Sequence, residues 1–148
     1  MYQEKFGKDR VEKMIPYMKE QGEKVGIKFS YGGKVGNTLA SHRLVEFAKT
    51  KGKQDEMIEK IMSYYFEQEK DISDIKVLET AANEVGIDSK DTLSSDTYAD
   101  KVKEGVHEAR RMGVSGVPAF VVNKKYKLSG AQESQTWHDV FKKLGYLK

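Results

Sequence analysis

Apolar residues recur at helical spacing through most of this chain. An apolar side chain that returns to one face every three or four positions predicts an amphipathic helix that buries that face. On this criterion we expect helices over about residues 9–21, 38–51, 54–66, 74–85, 96–112 and 137–144, with one short turn near residue 93.

Capping and breaking residues set where these helices should begin and end. Asp9 is the expected cap of the first helix, and Pro16 should kink or break it because proline lacks a backbone N–H. Asn37 or Thr38 should cap the second helix and Ser73 the fourth. Glycines end the segments at Gly22, Gly26, Gly52, Gly86, Gly113 and Gly145.

Two of the helices carry broad apolar faces that we expect to be buried. The third has six apolar positions, namely Met57, Ile58, Ile61, Met62, Tyr65 and Phe66. The helix over 96–112 should face inward with Tyr98, Val102, Val106 and Ala109.

Extended segments are predicted where apolar and polar residues alternate. Residues 27–31 indicate a short strand or an extended run, and residues 117–122 with 126–129 indicate a β-hairpin. Its turn places Lys124 where glycine is preferred, so we expect mild strain or a longer loop. Helices, then a hairpin, then a helix predict an α-rich α+β fold.

Composition narrows the class of protein. The chain has 148 residues, 26 Lys and Arg against 23 Asp and Glu, and no cysteine, which suits one compact unit. Acidic and basic residues alternate, so we expect no nucleic-acid partner. No apolar run reaches the length of a membrane span or forms a signal peptide, so we expect no membrane partner and a cytoplasmic protein.

Few residues offer catalytic chemistry. His42, His107 and His138 lie in three different expected helices, and without a second ligand at metal-binding spacing we expect no metal and no cofactor. The sharper motif runs from Gly113 to Phe120 and places Pro118 at the start of a strand. A trans bond there would be ordinary, whereas a cis bond would leave backbone groups free to pair with an extended substrate.

This motif resembles the C-terminal signature of the DsbA-like thioredoxin-fold oxidoreductases, in particular the FrnE-type branch. That branch also resembles 2-hydroxychromene-2-carboxylate isomerases and kappa-class glutathione transferases. The resemblance covers essentially the whole chain and rests on the following segments, in the family's order: Glu4-Lys-Phe-Gly7, Asn37-Thr-Leu-Ala-Ser-His-Arg-Leu44, Tyr64-Tyr-Phe66, Asp71-Ile-Ser-Asp74, Val77-Leu78, Gly113-Val-Ser-Gly-Val-Pro-Ala-Phe-Val-Val122 and Tyr126-Lys-Leu-Ser-Gly-Ala-Gln132.

The resemblance implies a split thioredoxin-like fold with a helical insertion. We therefore expect a pre-insertion helix and short extended segment over 1–36, a helical insertion domain over 37–112, and the C-terminal β-hairpin and helix over 113–148. It implies a cis Val117–Pro118 bond and a groove for a thiol or disulfide peptide, or for a glutathione-like ligand. The expected substrate-binding residues are Gly116, Val117, Pro118, Asn37 and Gln132.

The family's redox centre is a Cys-x-x-Cys at a helix N-terminus, placed between two strands before the insertion, where the isomerase and transferase branches carry a catalytic serine. This sequence is expected to begin after that region, so no catalytic residue is assigned. Ala131 and Glu133 also depart from the transferase pattern. The expected function is the substrate side of a disulfide oxidoreductase or isomerase, inactive alone. The alternatives are a stand-alone peptide- or partner-binding module and, more weakly, glutathione-type binding. An open hairpin edge also predicts homo-oligomers.

Overall fold

The computed structural model describes residues 7–148, without the side chains of Lys8 and Arg10. The Glu4–Phe6 part of the family resemblance lies outside the described residues. Contacts divide the chain into a first unit that ends at Lys103 and a second unit, Glu104–Lys148. This division falls inside a helix and differs from the boundary expected at 112/113.

The first unit is helical. It contains α1 (Lys8–Glu23), α2 (Leu39–Thr50), α3 (Gln54–Phe66), α4 (Ile75–Val85) and the short α5 (Lys90–Leu93). Helix α6 (Ala99–Arg111) begins in the first unit and ends in the second, which continues with β1 (Ala119–Val122), β2 (Tyr126–Ser129) and α7 (Ser134–Lys143). The expected α-rich α+β fold class is confirmed.

The core of the first unit lies between α2, α3, α4 and α5. Leu44, Met57 and Leu78 have no exposed surface, and each contributes about 1.5–3 kcal/mol by leaving water. The cluster consists of Leu44, Ala48, Met57, Ile61, Leu78, Ala82, Ile87 and Leu93. Six of the eight lie in helices that the apolar stripes predict; Leu93 lies in the expected short turn, and Ile87 follows α4 outside any predicted helix.

Several expected details in the helices are wrong. Helix α1 continues through Pro16, so a break there is wrong, and Gly7, not Asp9, precedes its first turn. Asp74, not Ser73, caps α4 by accepting a hydrogen bond from the Lys76 N–H at 2.8 Å. The buried apolar face of α3 is narrower than expected. Ile58 and Met62, both expected to be buried, are 36% and 50% exposed. On α6, Val106 is 47% exposed instead of inward.

Residues 27–31 form no strand; they lie in a loop that packs against the end of α3. The Ser30 N–H donates to the Phe66 carbonyl, and the Phe29 ring meets the Phe66 ring edge-on at 5.9 Å. Backbone pairing with a helix end replaces the neighbouring strand that a ladder would need.

Glu69 fastens this loop to the residues that follow α3. Its carboxylate accepts hydrogen bonds from the Ser30 hydroxyl and from the Gly32 N–H, the latter at 3.0 Å. The Ser30 hydrogen bond, followed by the Gly32 one, holds the pKa of Glu69 below its usual value. Gly36 approaches Ser73 so closely that an added β-carbon would lie 2.2 Å from the Ser73 hydroxyl oxygen. These contacts require small residues in the loop.

The second unit is a two-stranded antiparallel hairpin followed by α7. Its register pairs Ala119 with Ser129 and Val122 with Tyr126. The turn has three residues, and both Asn123 and Lys124 adopt positive φ, at 52° and 56°. Both expected consequences, a longer loop and a strained lysine, are therefore present. Within residues 104–148 no side chain reaches full burial, although apolar residues line both strands.

No helix in the described part of the chain is both long enough and apolar enough to cross a bilayer.

Candidate functional site

The loop that joins α6 to β1 contains the motif singled out in the sequence. Gly113, with φ 81°, ends the helix, and the Val114 N–H returns to the Ala109 carbonyl at 3.0 Å. Residues 115–117 then make no hydrogen bond to any described residue. Val117 is 90% exposed, and the Val117–Pro118 bond is cis. The loop therefore presents an unpaired backbone N–H and C=O at Val117.

The hairpin holds the end of this loop in place. The Pro118 carbonyl accepts a hydrogen bond from the Gly130 N–H at 2.8 Å, one step beyond the Ala119–Ser129 pair. Pro118 has no N–H to donate, so this carbonyl is its only backbone link to β2. The loop thus leaves the sheet immediately before Pro118.

Gln132 lies on the other side of the same pairing. Its side-chain amide donates to the Ser129 carbonyl at 2.9 Å and to the Gly130 carbonyl at 3.2 Å. Both contacts hold the end of β2 in the conformation that pairs with Pro118. Gln132 therefore supports the end of β2, and the Gly130 N–H there pairs with Pro118, the residue after Val117.

Asn37 belongs to the first unit. Its side-chain oxygen accepts a hydrogen bond from the Leu39 N–H at 2.9 Å, which stabilises the start of α2. This is the capping role expected of Asn37 or Thr38. Gly116 lies in the exposed loop, and a β-carbon added there would meet no atom within 4 Å.

Aromatic rings support the hairpin from one side. The Phe120 ring meets the Trp137 ring edge-on at 4.8 Å, and Trp137 stacks on Phe141 at 5.9 Å. Contacts of this kind add about 0.5–1.5 kcal/mol beyond burial. They fix β1, and with it Pro118, on α7.

One supporting contact has no clear signal in the sequence. The Lys127 ammonium donates to the Met112 carbonyl at 2.9 Å, at the end of α6. It ties the helix that enters the loop to the strand that follows it. The sequence indicates only that α6 ends near Gly113, and the last carbonyls of a helix have no partner within it.

The described residues contain no cluster of three or more His, Asp or Glu that could hold a metal ion. The loop itself carries a hydroxyl at Ser115 and otherwise only apolar side chains and glycine. The arrangement is suited to backbone recognition: an exposed N–H and C=O beside a strand can pair with an extended peptide.

Comparison with known proteins assigns the family. The DSBA-like thioredoxin domain family matches residues 3–142, and the chain belongs to that family. The helix-rich structure with its small two-stranded sheet matches a DsbA-like thioredoxin fold.

Two relatives give the extent of the likeness. The crystal structure of a probable DsbA oxidoreductase from Streptomyces coelicolor superposes with a TM-score of 0.89 at 25% identity, over 100% of this chain and 67% of that one. The uncharacterized protein YwbO of Bacillus subtilis (strain 168) is 30% identical over 80 residues, which is 51% of this chain and 40% of YwbO. The match thus spans less than half of the curated relative.

Proposed function

We propose that this chain supplies the peptide-binding side of a thiol-disulfide oxidoreductase or isomerase of the FrnE type. The observation that carries the proposal is the Val117 backbone, which is exposed and makes no hydrogen bond, two residues before β1. An extended peptide would pair with the Val117 N–H and C=O, as an added strand pairs with a sheet. The aromatic contacts under β1 hold these groups still.

The redox step itself needs sulfur atoms that these residues do not contain. In thiol-disulfide exchange a thiolate attacks one sulfur of a disulfide, a new S–S bond forms, and the other sulfur leaves as a thiolate. The 148 residues hold no cysteine, so the attacking thiolate and both sulfurs of the disulfide come from outside them. The role of this chain is to hold the cysteine-containing segment of the client in an extended conformation. A cytoplasmic setting belongs to the same proposal, and a fold without disulfides supports it.

A second candidate is a binding module that holds an extended peptide or partner without redox chemistry. The lack of any thiol in these residues favours it. Insulin reduction by dithiothreitol tests the shared expectation, because neither candidate lets this chain accelerate the reaction alone. Acceleration by the purified chain would contradict both. Glutathione binding is the weaker alternative; the Asn37 oxygen and the Gln132 amide nitrogen each already contact backbone groups.

Peptide binding is tested with a fluorescent extended peptide that carries one S-methylated cysteine, measured by anisotropy. Val117→Pro removes the N–H donor, and Val117→Ala keeps it. Loss of one hydrogen bond should weaken binding about tenfold in Val117→Pro, with Val117→Ala close to wild type. Trp137 fluorescence shows whether both variants keep the hairpin packing. Equal affinities of the two variants would contradict the proposal.

A further inference from the structure

Positive charge is concentrated in the second unit. Residues 104–148 contain eight Lys and Arg and four Asp and Glu, a net charge of +4. The whole chain has a net charge of +3, so residues 1–103 carry −1. The alternation of charges along the sequence hides this difference between the units.

Two contacts bring parts of the unit that carry these cations to the hairpin turn. The Asn123 amide donates to the Tyr146 hydroxyl at 3.2 Å, which brings the residues after α7 to the turn. Lys127 reaches the Met112 carbonyl, which brings the end of α6 there as well. The resulting basic end consists of Arg110, Arg111, Lys124, Lys125, Lys127, Lys142, Lys143 and Lys148.

No cation of the basic end forms an ion pair with a described residue, although Glu108 and Asp139 lie within one helical turn of Arg111 and Lys142 on α6 and α7. In residues 104–148, all of which the structure describes, no lysine or arginine forms an ion pair; Lys127 donates to a carbonyl and Lys125 lies over the Tyr126 ring. The first unit behaves differently, with pairs such as Lys60 with Glu84 at 3.0 Å and Lys101 with Glu46 at 2.8 Å. The acidic Glu133 lies at the start of α7, at the opposite end of the hairpin. A concentration of unpaired cations creates a field that attracts polyanions.

Apolar groups are exposed at the same end. Tyr146 is 64% exposed and Leu147 is 42% exposed. A tyrosine and an aliphatic side chain among lysines form the pattern that lies at a bilayer interface, where the rings and alkyl groups enter the headgroup region. A nucleic acid would use the tyrosine by stacking but has no site for the leucine.

We propose that the basic end is a docking surface for an anionic phospholipid membrane. The lysines and arginines bind the negative headgroups, and Tyr146 and Leu147 insert at the interface. The hairpin turn lies about 13 Å from the end of the loop that carries Val117, because the four residues of β1 separate them. Arg110 and Arg111 lie at the other end of that loop, on α6.

The test is co-sedimentation of the full chain with vesicles of equimolar phosphatidylserine and phosphatidylcholine. Vesicles of pure phosphatidylcholine and a double-stranded DNA oligonucleotide are the other arms. Binding to the anionic vesicles is expected, with release at about 0.5 M salt, where the screening length falls to a few ångströms. Lys124→Gln/Lys142→Gln/Lys143→Gln should weaken it roughly 100-fold, at about fivefold for each cation removed.

A matched control carries the same loss of charge in the first unit: Lys49→Gln/Lys76→Gln/Lys90→Gln. All three residues are exposed there, and this variant should bind the vesicles within about threefold of wild type, because its changes lie outside the basic end. Leu147→Ser should reduce vesicle binding and leave any DNA binding unchanged. Equal losses in the two triple variants, or DNA binding tighter than vesicle binding, would overturn the proposal. No arm uses the peptide, so this result is independent of the one at Val117.

Discussion

Arg43 is a buried charged residue whose replacement should destabilise the first unit. It lies in α2 with 6% of its surface exposed, among the apolar positions of that helix. Its Nε donates to the Thr97 carbonyl at 2.8 Å, and its Nη2 donates to the carbonyls of Thr92 and Ser95. One guanidinium therefore holds the whole turn that follows α5. We expect Arg43→Met to loosen this turn.

The size of the effect follows from these contacts. A hydrogen bond to a charged group contributes about 1.5–3 kcal/mol, and the variant leaves three carbonyls without their donor. Relief from burying the cation offsets part of that loss. We expect a net destabilisation of about 3 kcal/mol, a large fraction of the 5–15 kcal/mol that typically stabilises a domain. Arg43→Lys should cost less, because its ammonium keeps the charge but reaches fewer of the carbonyls.

Urea denaturation followed by circular dichroism measures the change. With a slope of about 2 kcal/mol per molar urea, the midpoint of Arg43→Met should fall by about 1.5 M. Lys49→Met, an exposed change on the same helix, should shift the free energy of unfolding by less than about 0.5 kcal/mol. An Arg43→Met midpoint equal to that of Lys49→Met would refute the reasoning.

Four other outcomes are expected. Gly36→Ala should lower the free energy of unfolding by about 1–3 kcal/mol, because the added β-carbon meets Ser73. Gly105→Ala should raise it by about 0.5–1 kcal/mol, because the space around this position in α6 is open. Changes of the same sign in the two variants, measured by urea denaturation, would contradict this. Lys124→Gly should stabilise the hairpin by about 1 kcal/mol, because it removes a side chain from a positive-φ position, and an unchanged melting temperature would count against it. The pKa of Glu69 is lowered, so its contribution to stability is fully present above the ordinary carboxyl pKa and is lost as the pH falls through the lowered pKa. Acid unfolding should therefore be less steep in Glu69→Gln than in the wild type. Finally, the unpaired edge of β1 predicts concentration-dependent self-association in light scattering, and a monomer at all concentrations would contradict it.

Local sequence signals were enough to predict most helices. Gly86 ends α4 in the left-handed conformation, and α3 begins at Gln54, as the stripes indicate. The hairpin followed from two short β-branched or alternating runs around a polar turn. These features depend on neighbours within a few residues, which a single sequence displays.

The incorrect predictions concern segments whose conformation depends on residues far away in the sequence. Of the two expectations for residues 27–31, a strand or an extended run, the strand is wrong: no neighbouring strand is present among the described residues, and the Ser30 N–H pairs with the end of α3. Pro16 does not end α1, since the loss of one backbone donor did not outweigh the rest of the helix. Arg43 looked like one more charged residue, and only its inward position between Ala40 and Phe47 hinted at its buried contacts.

The candidate site was partly predictable. The Gly-Val-Pro motif pointed to the loop, and the structure shows that the Val117 backbone is free and that Gln132 supports the strand pairing beside it. Asn37 could not be assigned from sequence, because a side chain suited to a ligand is equally suited to a helix start. The basic end was also hidden, because its cations come from three elements that only the fold brings together.

The claim that Val117 binds an extended peptide is tested most directly by following its backbone amide in the ¹⁵N-labelled protein. On titration with the S-methylated cysteine peptide, the Val117 amide should shift more than any other and gain protection from hydrogen exchange, as expected for a new hydrogen bond. Shifts that centre elsewhere, for example on the exposed Ile58 and Met62 of α3, while Val117 stays unchanged, would contradict the account.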